Sequence, residues 1–163
     1  MIPQFEHLNS TEKEMMYDAI PLITILIACA DGELTHRERS WSEKITQIRS
    51  YSYHESLREF YLNVGKNYQG KLDYFLEKYP LNIDRRTAII SEKLGELNSI
   101  LPKLEGVFAW RYYKGLMSFA KHVARSSGGF LGWSAINDKE RKLLGLDMIK
   151  PIELKVKTEE ESN

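Results

Sequence analysis

The chain has 163 residues, of which 42% are apolar and 28% charged, the proportions of one globular domain with a hydrophobic core. Lys plus Arg and Asp plus Glu both number 23, so no global field draws the chain to nucleic acid or membrane, and such binding would need a local patch. The single cysteine, Cys29, excludes an internal disulfide and a Cys-rich zinc module and fits a reducing compartment.

The N-terminal segment to Asn9 is expected to be irregular. Its Met-Ile-Pro-Gln-Phe-Glu-His start lacks the basic and apolar regions of a signal peptide, which points to the cytoplasm. Thr11-Glu12-Lys13-Glu14 has the capping-box pattern and opens a helix. Pro21 either kinks that helix or opens a second piece of it, because an interior proline lacks a donor and clashes one turn back. Residues 20–30 are apolar all round, which predicts a helix buried on every side. The apolar run Ala19–Ala30 is twelve residues long, too short for a bilayer span of ~20 residues. Asp31-Gly32 ends the helix, with Gly32 supplying a left-handed residue.

Thr35-His36-Arg37-Glu38 is a second capping box. In the helix it opens, Trp41, Ile45 and Ile48, with Leu34 before them, are the expected buried stripe. Ser52-Tyr53-His54-Glu55 reads as a third box, followed by the stripe Leu57, Phe60, Tyr61 and Val64 and a stop at Gly65. Leu72, Phe75, Leu76 and Tyr79 repeat the spacing before Pro80. Asp84 is the expected cap of the next helix, with Ile90, Leu94, Leu97 and Leu101 inside. Residues 104–125 form the last long helix, buried along Tyr112, Leu116, Phe119, Ala120 and Val123. A Gly-rich loop over 126–134 follows. Asn137-Asp138-Lys139-Glu140 is a fourth box, opening a short helix through Leu144. The domain covers 1–149, and the charged stretch 150–163 reads as a disordered tail.

No segment alternates like a strand. The pattern predicts an all-α, compact bundle of about seven helices joined by short connections. Two units share a plan: an apolar helix ending in Ala30 or Ala124, a Gly loop, then a capping box with its acid at Glu38 or Glu140. This suggests two pseudo-symmetric helical hairpins whose loops share one end of the molecule.

The stretch from Leu26 to Glu38, with its small-residue helix end, Asp31-Gly32, the aliphatic Leu34, the hydroxyl of Thr35 and the acid Glu38, resembles the signature of the TerB-like helical family, named for bacterial tellurite resistance. The resemblance extends over about residues 12–146. It implies an all-helical fold, a place in a bacterial stress or metal-resistance system alongside other proteins of that system, and a non-enzymatic metal-binding or adaptor role. The matching positions are Asp31, Gly32 and Glu38 and, less directly, Glu140. Ser127-Gly128-Gly129 departs from the pattern, standing where an acid would make the site symmetric.

The residues themselves support two readings of the acidic corner. Asp31, Glu33 and Glu38 put three carboxylates beside the negative end of a helix, where a divalent cation such as Ca²⁺ or Mg²⁺ offsets them. Asp-Gly-Glu-Leu-Thr-His-Arg-Glu also matches the second half of an EF-hand loop, but Ile27 and Cys29 stand where the first half needs oxygen ligands. Alternatively, Glu38 is explained by capping with Thr35, and Asp31 by turn hydrogen bonds or by Arg37 or Arg39.

The four histidines, His7, His36, His54 and His122, lack zinc spacing. Cys29 reads as a small buried residue. Phe130, Leu131 and Trp133 either fold onto the core or dock a partner. Arg111, Lys114, Lys121 and Arg125 share a face of the last long helix, beside Trp110 and Tyr113. That face is either solvated or an interaction surface for a protein or an anionic polymer or lipid. No specific nucleic-acid motif and no catalytic constellation is present, and the chain is expected not to be an enzyme.

Overall fold

A computed structural model of the chain describes residues 2–30, 32–126 and 138–154, the side chains of 138–140 excepted. It is all-helical, and no strand occurs among the described residues. The helices are α1 (Ser10–Ala28), α2 (His36–Ser52), α3 (Glu55–Gly65), α4 (Tyr68–Lys78), α5 (Ile83–Gly95), the single turn α6 (Leu97–Ile100), α7 (Gly106–Ser126) and α8 (Asp138–Leu144). The N-terminal segment is less irregular than expected: Pro3–Phe5 is a 3-10 turn that sends Phe5 into the core.

The helix that is apolar all round takes the central place. α1 is buried continuously from Asp18 to Ala28 and packs on α3, α4, α5, α6, α7 and α8. A helix without a polar face has no stable position at a surface, and the other helices supply its cover. Pro21 opens no second piece, since α1 runs unbroken through it. Around α1, the stripes Leu57/Phe60/Tyr61/Val64, Ile90/Leu94/Leu97/Leu101 and Tyr112/Leu116/Phe119/Ala120/Val123 are all buried as their spacing predicts. Phe60 stands in an aromatic cluster with Phe5, Tyr17, Tyr61 and Tyr112, at centroid distances from 5.1 to 6.4 Å. Such pairs add specificity to area burial. Among the described residues no helix is long and apolar enough to cross a membrane.

Several helix starts differ from their expected caps. α1 begins at Asn9, not Thr11: the Asn9 side chain accepts from Glu12 N, and the Glu12 carboxylate accepts from Asn9 N, both at 2.9 Å. Asn82, not Asp84, caps α5, accepting from Arg85 N at 2.9 Å. Ser52 is no cap at all. It is the last residue of α2, bonded to Ile48 O, and His54 caps α3 through Nδ1. In each case the neighbouring polar residue occupies the position where the chain enters the helix, and entry is set by packing. Thr35 and Glu38 form the expected reciprocal box at 2.9 and 3.2 Å. Asn137 lies outside the described residues. α7 is capped by Glu105, whose carboxylate accepts from Val107 N and Phe108 N.

The largest departure is on α2. Its buried side is Glu38, Ser42, Ile45, Thr46 and Arg49, whereas Trp41 is 38% exposed. Polar residues turn inward because partners await them. Arg49 donates to Tyr61 Oη at 2.7 Å, Gly115 O at 2.9 Å and Ser118 Oγ at 2.8 Å. Its guanidinium also lies over the Tyr53 ring, 4.5 Å from the centroid. The approach depends on Gly115, where a Cβ would stand 3.2 Å from Tyr61 Oη.

At the other end of the chain, Asn98 clasps the segment after α8, donating to Met148 O and accepting from Lys150 N, both at 2.8 Å. Ile152 packs partly buried against the core. Of the expected tail, Lys150 and Ile152 therefore touch the domain, and 155–163 lie outside the described residues.

Candidate functional site

The corner between α1 and α2 is closed by a residue that sequence spacing does not point to. Arg86 of α5 is buried, and its guanidinium donates to Cys29 O and Gly32 O, each at 3.4 Å. It thus supplies a cation and donors to the carbonyl end of α1, which the helix cannot satisfy itself. Gly32, at φ +149°, takes a conformation that side-chain-bearing residues avoid. Cys29 is buried, in keeping with its reading as a small core residue.

Of the expected metal ligands, Asp31 and the side chain of Glu140 lie outside the described residues. Glu33 is exposed, and Glu38 is buried with one oxygen accepting from Thr35 N. Arg39, a considered partner for Asp31, donates to Gln69 at 3.0 Å and to Asp73 at 2.5 Å on α4. Among the described residues no group of three or more His, Cys, Asp or Glu side chains is placed to hold a metal ion.

A second feature gathers beside the start of α2. The first two turns of α2 present His36, Arg37, Ser40, Trp41 and Lys44 along one side, at spacings of three, four and seven to eight residues. The last turn of α7 brings His122, Arg125 and Ser126 opposite them. Together they line a cleft of about 640 Å³. Arg37, Lys44 and Arg125 carry fixed positive charge, and no described acidic side chain lines the wall. The N-terminus of α2 adds a small positive potential, partly offset by the Glu38 carboxylate.

His122 stands on this wall. Burial, then the charges of Arg49 and Arg125, hold its imidazole below the ordinary value of 6.5. Arg49 matters here because among the described residues it has no carboxylate partner. Its charge is spread over hydroxyls, a carbonyl and aromatic faces, so it remains felt nearby.

Sequence reasoning found only part of this cleft. Arg125 belongs to the expected basic face of α7. Of that face, Lys114, Lys121 and Arg125 are exposed, Arg111 is half-buried, and the neighbouring Tyr113 is buried. The helical spacing places Trp41 in the core, and no spacing marks His36 or His122. The available signal was a stretch of α2 with basic residues and an indole on one side and no acid among them. Nothing in one dimension pairs it with a turn eighty residues later. The other expected docking residues, Phe130, Leu131 and Trp133, lie outside the described residues.

A different polar group lies across the molecule. Asp18 is 8% exposed on α1, and Lys71 of α4 sits 2.9 Å from its Oδ1 and 3.1 Å from Glu14. Burial raises the Asp18 carboxyl and Lys71 opposes that shift. The pair ties α4 to α1 beside an open groove that Glu14, Tyr17, Pro21, Glu59 and Asn63 also line.

No family model, curated protein or solved structure matches the chain.

Proposed function

We propose that the chain is a cytoplasmic, non-enzymatic helical binding module, of the sensor or adaptor kind implied by its resemblance to TerB-like proteins, and that its binding end is the cleft between the start of α2 and the end of α7. One observation carries this reading. Two elements distant in sequence converge basic and imidazole side chains on a single concave space without an acid on its described walls. Like charges repel, and unliganded packing gives no reason to gather them. An anion in the cleft supplies the compensation, with Arg37 and Arg125 as fork donors and Lys44 as a point charge. The stress-system role and the cation reading at Asp31, Glu33 and Glu38 stand on the family resemblance and the acidic corner.

Thermal melts in pyrophosphate test the cleft. At a hundredfold the dissociation constant, a ligand of the native state stabilises by about 2.7 kcal/mol, and Arg125→Gln should remove most of the shift. Absence of any shift at millimolar pyrophosphate, or an equal shift in Arg125→Gln, would sink the anion reading.

A further inference from the structure

Trp41 gives the cleft a surface that a bare inorganic anion does not use. The indole stands on its wall, four residues from Arg37 and three from Lys44, and is 38% exposed. Its place in the i, i+4, i+7 series with Ile45 and Ile48 would put it in the core. Instead Ile45 is buried and the indole is left at the surface. Among the described residues no other tryptophan is exposed. A half-exposed aromatic face inside a concave site is apolar area that a ligand can cover.

The volume points the same way. About 640 Å³ is more than a phosphate group fills and lies within the ~300–1,000 Å³ of pockets that take small organic ligands.

Resting on the anion reading, we propose that the cleft takes a small aromatic phosphate of the nucleoside mono- or diphosphate class. Arg37, Lys44 and Arg125 hold the phosphate, and the ring stacks on Trp41. An indole face accepts any base, because every base has a π-face. Among the described residues the neutral hydroxyl side chains on the wall are Ser40 and Ser126, and neither an amide nor a carboxylate lines it to read a base edge. The site therefore selects for phosphate and ring together and discriminates little between rings. A long nucleic acid is the less favoured occupant. The chain carries no net charge, and the basic groups gather on one short cleft where polymer binding needs an extended track.

Calorimetric titration of the full chain with ADP, GDP, pyrophosphate and adenosine tests this. ADP should bind about tenfold tighter than pyrophosphate, GDP should bind much like ADP, and adenosine should not bind detectably. Trp41→Ala should bring ADP down to the pyrophosphate level and leave pyrophosphate unchanged. Arg125→Gln should weaken both. Both positions are solvent-exposed, and unchanged melting of each variant verifies folding. Pyrophosphate binding as tightly as ADP, with Trp41→Ala silent, overturns the aromatic assignment and leaves the anion reading standing. Failure of both to bind overturns the two together. A single-stranded RNA oligonucleotide that binds more tightly than ADP, with Trp41→Ala weakening it, overturns the small-ligand assignment in favour of a polymer.

Discussion

Partial desolvation, and after it two guanidinium groups, set how His122 titrates. Burial, Arg49 and Arg125 lower the imidazole below 6.5. The other basic groups of the cleft, His36, Arg37 and Lys44, face the same space. In the window between the lowered native value and 6.5, the unfolded chain binds more protons at this residue than the native one. Its contribution to stability is therefore present above that window and is lost as pH falls through it. An anion in the cleft offsets the guanidinium charges and raises the imidazole, so binding takes up a proton and tightens as pH falls. Histidine NMR titration checks this. His122 should titrate low in the free chain, move up with pyrophosphate, and move up in Arg125→Gln. A titration unmoved by pyrophosphate would count against the cleft. Asp18 shows the opposite sign. Its raised carboxyl binds a proton more readily in the native chain, so its ionisation costs stability as pH rises through that value.

At the scale of the element, α2 works with an inverted polarity. The side facing α3 and α7 is held by Arg49, and the side with Trp41 faces out. A buried guanidinium is costly to desolvate, and its bonds to Tyr61, Gly115 and Ser118 recover that cost only in part. Arg49→Ala leaves a cavity and removes the donor to the buried Tyr61 hydroxyl, which should cost about 3 kcal/mol or more. Arg49→Met fills the space without charge and should cost less than about 1.5 kcal/mol. Urea unfolding of both variants measures the difference. A Met variant as unstable as the Ala variant would mean that the hydrogen bonds outweigh desolvation, contrary to this account. At the start of the same helix, the Thr35–Glu38 box was legible in the sequence because both partners lie within one turn. Asn9 and Asn82 were not identified as caps, because several polar residues stand near each start and the entry of the chain decides among them.

For the whole molecule, stability and binding are expected to map to different places. Leu22 is fully buried on the central helix, and Leu22→Ala should cost ~2–5 kcal/mol and lower the melting temperature by roughly 10 °C. Trp41→Ala should change stability by less than ~0.5 kcal/mol. Calorimetric melts of the two variants check the separation, and a Trp41→Ala loss comparable to that of Leu22→Ala would make the indole a core residue after all. The all-helical class, the central α1 and the buried stripes of α3, α5 and α7 are readable from the chain alone. They follow from hydrophobic period and from caps, which act over one or two turns. The polar burial of α2 and the cleft are not readable that way. Arg49 turns inward because Tyr61, Gly115 and Ser118 meet it there, and His36 and Arg125 come together because α2 and α7 pack on the same side of the bundle. Both depend on residues far apart in the chain, and only packing brings them within reach.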